Sequence, residues 1–514
     1  MENYTSDEAR YDPYGFHEGH WEGDDFDQAI DLALGEEFLY GKTDLAQVTS
    51  MGMHIGSATT HLTVSKLTLR TGGRSVSSKS VVKTKEVVYE SPVIRTPYRE
   101  DGSLDTEHVS RFLEDAYNAA RLIPDLIETG VVVMSGKASE ERNRLALQRL
   151  FASQKERLLF LTEGPNLQGI LAALAAGATE RSGRQGKRIL NVDLGAEGAR
   201  LAWIANGTVS ALGSFRGGAK VLESDEEGKL KCLDEVGQIM AAELGLDLKL
   251  FKPVTRSERQ VVGKALADTL LDYLEEGSLS ELGRRLVSAL PPSAPEVDLV
   301  QFSGGVAEYV YGFESEPQAD VGYEWGGAIR KRAPKLGLKM RVETPPVRLR
   351  ATPIGTAPYL LCLSPQDVYS SHGHLHPLKG LVVVSPRFRS GLREPAQAQQ
   401  DLEQGLALFG LLDGSKPFAL SMDYVEERGS YEAVATGIFS ALQYRLSDHD
   451  VPLVLVGATE APSRVAQMIA SRAGENASLV AISGLHVHDL DFVDVGEVEH
   501  ETEVPVMVRS LVFR

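Results

Sequence analysis

One aspartate stands where a carboxylate could hold a divalent cation against a phosphate group. Asp193 ends an apolar run at residues 188–193 and precedes a glycine-rich bend that starts at Gly195. Magnesium prefers carboxylate oxygens and water, and it is commonly shared with the phosphates of a ligand. Asp193 is therefore the candidate catalytic and metal-binding residue, which would hold Mg²⁺ or orient a water. The alternative is that Asp193 only caps the turn.

The same order of strand, glycine bend and strand occurs about 140 residues earlier in the chain. Residues 51–55 lead into a bend of small and hydroxyl residues, and residues 61–69 continue as an alternating strand. Such bends bring N–H and hydroxyl donors close to a phosphate. The candidate phosphate-binding residues are Gly56, Ser57, Thr59 and Thr60 in the first bend and Gly195 in the second. The repeat predicts a duplicated fold whose halves face each other across a cleft.

The two bends differ in the side chain that precedes them. His54 occupies the place before the first bend that Asp193 occupies before the second. Imidazole prefers softer metals than magnesium, so His54 does not replace a carboxylate there. This difference weakens a hydrolytic function.

A third glycine segment, Ser303-Gly304-Gly305, lies between an apolar run at 297–302 and a predicted helix. Glycines at such a junction let a nucleotide approach, and the start of a helix favours negative charge. Tight packing of the strand on the helix is the alternative explanation. Gly355, in a bend at 353–358, is the last candidate for the border of the nucleoside.

Three alternating histidines, His372, His374 and His376, would share one side of an extended strand. A metal site is geometrically possible there. Because no acidic residue lies close by in the sequence, a loop that faces solvent is the favoured interpretation.

The composition is that of a globular chain with several domains. It has 514 residues, of which 42% are hydrophobic, and its net charge is −19; chains of this length usually divide into domains. The negative charge argues against nucleic-acid and anionic-lipid partners. The longest apolar run, at 170–178, is too short to span a membrane, and the acidic start lacks the order of a secretory signal. Two cysteines suit a reducing compartment, so we expect a cytoplasmic protein.

Residues 1–50 form an acidic extension with 13 acids and 2 bases. The stretch before residue 24 has the composition of a disordered segment. Residues 24–40 place an apolar stripe on one face of a predicted helix. That helix would dock on its own protein or would bind a partner or target a compartment.

The remaining pattern predicts the elements that must position these residues. We expect helices at 106–121, 166–178, 234–245 and 257–290, a buried strand at 130–134, and a hairpin turn at Asn206-Gly207. Beyond Pro377 strands alternate with helices, which predicts a mostly parallel sheet.

Five motifs follow one another along the chain after residue 50. They are residues 54–60, Ser135-Gly136-Lys137-Ala138, Asn191-Val192-Asp193-Leu194-Gly195, Phe302-Ser303-Gly304-Gly305 and Arg350-Ala351-Thr352-Pro353-Ile354-Gly355. Taken in order, these segments resemble the ethanolamine ammonia-lyase reactivating factor family, which belongs to the superfamily of actin, sugar kinases and heat-shock chaperones. The likeness covers nearly the whole chain after residue 50.

The resemblance implies an α/β fold with a two-lobed actin-like ATPase core, made of duplicated ribonuclease-H-like lobes, and a C-terminal α/β region. The implied domains are 51–187 with an insertion, 188–376 and 377–514. It also implies ATP or ADP with Mg²⁺ as ligands and the subunits of ethanolamine ammonia-lyase as partners. The adenosylcobalamin belongs to that client, and the factor promotes the ATP-linked release of damaged cobalamin. Residues 24–40 would then serve association with a bacterial microcompartment.

Three departures from the family pattern fall on the nucleotide contacts. They are His54 in the first bend, Glu197 in the second, and Thr356-Ala357-Pro358-Tyr359 after Gly355. A carboxylate aimed at phosphate is unfavourable unless a metal intervenes. The scaffold is therefore expected to be retained and the ATPase activity to be weak or lost.

Three alternatives to that function remain open. The chain could be a non-hydrolysing pseudo-ATPase that scaffolds the lyase or a microcompartment. It could reactivate another cobalamin enzyme, such as a diol dehydratase. A small-molecule kinase is the third, although no transformation of a small-molecule substrate is expected.

Overall fold

Three large β-sheets organise the chain in the computed structural model. The structure describes residues 45–70, 81–154, 157–162, 164–336, 341–345, 356–363, 367–371, 377–388, 392–412, 416–423, 425, 428–446, 452–474, 477–496 and 504–513. Residues 1–44, which include the predicted helix at 24–40, lie outside this part of the chain. Gly355 and the three alternating histidines also lie outside it.

The first sheet carries the first glycine bend. Its strands are β1 (Leu45–Ile55), β2 (Thr59–Arg70), β3 (Val81–Glu90), β4 (Ile94–Arg95), β5 (Thr129–Met134) and β6 (Leu158–Thr162). The order is β3-β2-β1-β5-β6, with β4 paired to β2. The first three strands form an antiparallel meander, whereas β5 runs parallel to β1 and β6 parallel to β5.

The second sheet repeats that arrangement. Its strands are β7 (Ile189–Leu194), β8 (Gly198–Ala205), β9 (Thr208–Arg216), β12 (Val287–Ala289), β13 (Leu299–Ser303) and β14 (Arg341–Val342). Between β9 and β12 in the chain, β10 (Leu222–Ser224) and β11 (Leu230–Leu233) form a small sheet of their own. The order is β12-β9-β8-β7-β13-β14, in which β7, β8 and β9 are antiparallel and β13 and β14 extend in parallel.

The two sheets therefore share one topology, an antiparallel meander of three strands extended by two parallel strands. This is the ribonuclease-H-like arrangement that an actin-like core contains twice, so the predicted duplicated α/β core is confirmed. Each glycine bend joins the first two strands of its own sheet.

The third sheet belongs to the C-terminal region. Its strands are β15 (Thr356–Leu363), β16 (Val368–Ser370), β17 (Leu378–Val384), β18 (Phe418–Ser421), β19 (Leu453–Gly457), β20 (Leu479–Ser483), β21 (Phe492–Val495) and β22 (Val504–Leu511). The order is β15-β22-β21-β17-β18-β19-β20-β16. Only the central β17 to β20 are parallel, and the flanking pairs are antiparallel, so the expectation of a mostly parallel sheet holds for the centre alone.

Sheet membership does not follow the predicted domain limits. The first strand begins at Leu45, before residue 51, and β15 and β16 belong to the third sheet although they precede residue 377. The proposed limits at 187 and 188 fall just before β7. The domain division itself stays a prediction.

The helices pack beside these sheets. They are Thr106–Ala120, Glu141–Leu150, Pro165–Ala175, Ala178–Gln185, Glu235–Leu244, Arg256–Glu276, Glu281–Leu286, Ala307–Tyr311, Gly322–Leu336, Pro395–Phe409, Arg428–Leu442 and Ala461–Ala473. The helix predicted at 106–121 is confirmed, and the Asp105 side chain caps it by accepting from the N–H groups of Glu107 and His108. Among the described residues, no helix combines the length and the apolar character that crossing a membrane requires.

The helical stretch predicted at 257–290 is confirmed for its first part, and the structure interrupts it at Gly277. Gly277 ends the first helix in a left-handed conformation, with φ of 69°, and the Glu281–Leu286 helix and β12 follow it. Glycine adopts that conformation without steric cost, which makes it a common terminator of helices.

A buried ion pair joins two helices beside the second sheet. Arg259, on the Arg256–Glu276 helix, places Nε 2.9 Å from Oε1 of Glu324, which lies on the Gly322–Leu336 helix. The two side chains are only 11% and 7% exposed. The Arg259 guanidinium also donates to the carbonyl oxygens of Gln318, Ala319 and Asp320. The arginine thereby fixes the start of the Gly322–Leu336 helix.

One apolar cluster contains residues from all three sheets. Val131 and Leu159 come from the first sheet, Ile189 and Ala202 from the second, and Phe492 from the third. The Pro165–Ala175 helix, which is apolar on most of its surface, contributes to the same cluster. The three sheets therefore pack on a common interior.

Candidate functional site

A cavity of about 510 Å³ lies where the two glycine bends face each other. The predicted residues that line it are Gly56, Ser57 and Thr59 from the first sheet and Asp193, Gly195, Gly304 and Gly305 from the second. Two bends that are far apart in the chain therefore border one cleft.

Two predicted site residues lie behind the cavity wall. Thr60 is buried, and its hydroxyl bonds to that of Thr96 at 3.0 Å. Ser303 is also buried and bonds to residues of the second sheet. Both are placed to support the wall, and neither lines the cavity. The remaining candidate, Gly355, lies outside the described residues.

The two bends match residue by residue. The Gly56 N–H donates to the Thr59 carbonyl at 2.9 Å, and the Gly195 N–H donates to the Gly198 carbonyl at the same distance. These two amides close their own turns, so they do not offer N–H groups to a phosphate. When the two bends are matched through these hydrogen bonds, His54 and Asp193 occupy equivalent positions, and Glu197 is the counterpart of Ala58.

A buried polar chain fixes the Asp193 carboxylate. The Gln301 amide donates to Asn191 at 3.0 Å, the Asn191 amide donates to the Ser303 hydroxyl at 3.0 Å, and Ser303 donates to Asp193 at 3.3 Å. Burial raises the pKa of Asp193, and the positive charge of Arg200 and the Ser303 hydrogen bond oppose that rise. The result is a carboxylate held in one orientation at the cavity wall.

Gly304 brings the third glycine segment against this carboxylate. Its φ is 85°, and a methyl group there would lie 2.5 Å from the Leu194 carbonyl oxygen and 2.8 Å from Oδ1 of Asp193. Any side chain at this position would displace the strand end that carries Asp193. The glycine is therefore required both for its backbone conformation and for close approach.

Arg200 is a cation in the cavity that the sequence interpretation missed. It is the cross-strand partner of Asp193 in the β7–β8 hairpin and donates to the Gly198 carbonyl at 3.0 Å. A methyl group on Gly195 would lie 2.9 Å from its guanidinium, so the bend is in contact with the arginine. The hairpin register was the signal that could have revealed it.

His54 makes the equivalent place in the first sheet neutral. Its Nε2 bonds to the Ser135 hydroxyl at 3.0 Å, whereas its buried Nδ1 has no hydrogen-bond partner in the described part of the chain. Burial lowers the pKa of His54 to about 4. Its cross-strand partner His61 has its ring centroid 5.4 Å away. At neutral pH this wall of the cleft thus presents an uncharged imidazole.

We expect His54 to make stability depend on pH between 6.5 and 4. Because the pKa is 6.5 in the unfolded reference and about 4 in the folded chain, the unfolded chain binds more protons in this range. The contribution is therefore fully present above pH 6.5 and is lost as the pH falls towards 4. Urea unfolding at pH 7.5 and pH 5 measures this loss. Between these two pH values the free energy of unfolding should fall by about 2 kcal/mol more in the wild type than in His54→Gln. Equal losses in the two proteins would contradict this assignment.

Several contacts connect the two halves at the cavity. The Ser57 hydroxyl donates to the Glu197 carboxylate, and Lys220 Nζ donates to the Ser57 carbonyl at 2.9 Å. Arg95 of the first sheet forms an ion pair with Glu223, which also lies 3.6 Å from Lys220. The halves are therefore tied together by charged and hydrogen-bonded groups, and Ser57 is the centre of these contacts.

The described residues do not form a complete metal site on their own. Among them, no group of three His, Cys, Asp or Glu side chains could hold a metal ion. Magnesium is usually bound through one or two carboxylates, with phosphate and water oxygens completing the shell. Asp193 alone supplies one of the oxygen ligands that such an ion needs, and the other described residues do not complete a resident site.

The sequence matches the family model described as ethanolamine utilisation protein EutA over residues 46–514. The ethanolamine ammonia-lyase reactivase EutA of Escherichia coli (strain K12) is 26% identical over 479 residues, which cover 91% of this chain and 99% of that protein. The reactivase of the same name from Salmonella typhimurium is also 26% identical, over 480 residues with the same coverage.

Among solved structures, the ethanolamine utilization protein EutJ from Carboxydothermus hydrogenoformans is one of the matches. The sequence identity is 15%, the TM-score is 0.30, and the match covers 64% of this chain and 95% of that one. The family match includes every candidate residue that lines the cavity.

Proposed function

Because this chain belongs to the ethanolamine utilisation protein EutA family, we propose that it is a reactivating factor for ethanolamine ammonia-lyase. The observation that carries the proposal is the family match over residues 46–514, together with relatives that bear the reactivase name and align over 99% of their own length. The partner would be the lyase, and the adenosylcobalamin would belong to that client.

The cavity between the bends is the proposed site of ATP or ADP. Its volume of about 510 Å³ lies in the usual range for small-molecule pockets. Arg200 and Lys220 supply positive charge, and Gly304 and Gly305 leave room for a close approach. Asp193 would hold Mg²⁺ jointly with phosphate oxygens. Coordination of the phosphates is the chemistry that the ion would supply at this place.

The chain's own residues then link nucleotide state to the client. The contacts of Ser57 with Glu197 and Lys220 hold the two halves together at the cavity. A ligand can shift the opening of the halves only by the difference in its affinity for the open and closed forms. A client that binds the open or the closed form more tightly would respond when the nucleotide shifts the balance between the two forms. The client would then release its damaged cofactor.

A non-hydrolysing scaffold is the second candidate, and two observations favour it. The neutral His54 puts an imidazole in place of a carboxylate at the position equivalent to Asp193, and Glu197 places a negative charge beside the first bend. Either feature would weaken catalysis without preventing binding of the lyase.

A reactivation assay separates these functions. Lyase blocked with cyanocobalamin would be incubated with excess adenosylcobalamin, Mg²⁺ and this protein, with ATP, with a non-hydrolysable ATP analogue or without nucleotide. We expect activity to return with ATP only, and Asp193→Asn to reduce the rate of return at least tenfold because it removes the metal-binding oxygen. Asp247→Asn, an exposed surface change, is the matched control.

The other outcomes are informative as well. Recovery that needs no nucleotide would favour the scaffold. Failure with ethanolamine ammonia-lyase and success with a blocked diol dehydratase would reassign the client. No recovery with either enzyme would reject the reactivase function.

The location of the protein is part of the proposal. We propose that it acts in the cytoplasm and that residues 24–40 associate it with a bacterial microcompartment. Deleting residues 1–40 and following a fluorescent fusion would test this, because the family match begins only at residue 46.

A further inference from the structure

The Glu197 carboxylate lies between the two halves of the cleft. It stands on the bend of the second sheet, and it accepts a hydrogen bond from the Ser57 hydroxyl on the bend of the first. A methyl group on Gly136, two residues after the end of β5, would overlap both Ser57 and Glu197, so the carboxylate is in contact with the first half. An anion that belongs to the protein therefore bridges the two bends.

This bridge uses the hydroxyl that was expected to bind phosphate. The single proton of the Ser57 hydroxyl is donated to Glu197, and its oxygen accepts from the Lys137 N–H at 2.8 Å. The Ser57 carbonyl is bonded to Lys220 at 2.9 Å. The Ser57 hydroxyl can therefore donate to a bound phosphate only after Glu197 has moved away.

The acid is present in one half of the duplicated site only. Its counterpart in the first bend is Ala58, which has no charge and also lines the cavity. On the side of the second sheet, Arg200 contacts Gly195 and is placed to neutralise a phosphate near that bend. The cleft is thus favourable to anions beside Arg200 and unfavourable to them between Ser57 and Glu197.

We propose that Glu197 is a specificity-determining residue whose carboxylate occupies the place of a terminal phosphate, so that the cleft prefers a nucleoside diphosphate to a triphosphate. The inference rests on the proposed nucleotide site and adds its selectivity. A third phosphate must displace the carboxylate from Ser57 and then lie beside a like charge, whereas a diphosphate leaves the bridge intact. Glu197 thereby also keeps the halves together when the shorter nucleotide is bound.

Calorimetric titration of the full chain with ADP and with ATP, each with and without Mg²⁺, tests the proposal. We expect wild type to bind ADP at least tenfold more tightly than ATP. Glu197→Gln keeps a group that can accept from Ser57 but removes the charge, and it should lower this preference at least tenfold, mainly by tightening ATP. Glu226→Gln, an exposed acid on the same half, should leave the preference unchanged.

Each other result overturns the inference in a distinct way. Equal affinities of wild type for ADP and ATP would show that the carboxylate excludes nothing. Weaker binding of ATP with Mg²⁺ by Glu197→Gln would show that the acid helps to hold the metal. If neither nucleotide binds to any of the three proteins, both this inference and the ATP-linked function fail. Equal affinities, or weaker binding by Glu197→Gln, would overturn this inference alone and leave the reactivation assay unaffected.

Discussion

Replacing Arg259 with methionine is expected to lower the free energy of unfolding by about 3–5 kcal/mol, because it leaves a buried carboxylate without its partner. Glu324 is only 7% exposed, and the guanidinium lies 2.9 Å from it. The same change removes the donor to the carbonyl oxygens of Gln318 and Ala319, which precede the Gly322–Leu336 helix. Urea denaturation at pH 7.5 measures the loss.

A double variant makes this prediction sharper. Arg259→Met with Glu324→Met replaces the ion pair by apolar side chains of similar length, and such replacements are often neutral. We therefore expect the double variant to be more stable than Arg259→Met alone. Arg256→Met, at the exposed start of the same helix, should change stability by less than about 0.5 kcal/mol. A single variant as stable as this control would show that the pair is not buried in solution.

Replacing Gly304 with alanine is expected to destabilise the protein by about 3 kcal/mol and to disturb the cleft. The left-handed backbone, with φ of 85°, costs a residue with a side chain about 1–2 kcal/mol. The added methyl group would also lie 2.5 Å from the Leu194 carbonyl and 2.8 Å from the Asp193 carboxylate, and overpacking of this kind costs about 1–3 kcal/mol. Denaturation and nucleotide titration together measure the two effects.

Gly327 provides the matched glycine. It lies within the Gly322–Leu336 helix, and a methyl group there would meet nothing within 4 Å. Gly327→Ala should therefore stabilise the protein by up to about 1 kcal/mol, since alanine is the better helix former. If the two alanine variants proved equally stable, the contact between Gly304 and the Asp193 strand end would be disproved.

Local patterns in the sequence predicted the elements that short-range chemistry determines. Asn206-Gly207 predicted a hairpin, and the two residues have φ of 53° and 79°, which a tight turn of this kind requires. An apolar face predicted the helix at 106–121, and Asp105 caps its start in the structure. The glycine bends were recognised for the same reason, since a strand that reverses direction at once needs small residues.

Long-range contacts in the cleft could not be predicted in this way. Ser57 and Glu197 are 140 residues apart, and nothing in either segment indicates that the hydroxyl and the carboxylate meet. His54 was recognised as an unusual residue, but its bond to Ser135 depends on the pairing of β1 with β5. Thr60 was expected to face phosphate although the alternation of β2 turns it towards Thr96. A shift of one position along a strand moves a side chain to the opposite face.

The third sheet shows the same limit at a larger scale. Alternating strands and helices correctly indicated the parallel centre from β17 to β20. The antiparallel edges come from strands that precede and follow this alternation, and β15 pairs with β22 across more than a hundred residues. Periodicity within a segment predicts a strand, but it does not predict which other strand will pair with it.

The apolar cluster to which all three sheets contribute has a consequence for how the protein must be handled. Val131, Ile189 and Phe492 lose contact with water together, so separating any one region would expose hydrocarbon surface on the others. Thermal denaturation should then follow a single cooperative transition, and an isolated lobe would be prone to aggregate. We therefore expect the duplicated halves and the C-terminal sheet to unfold together, although their sheets have separate topologies.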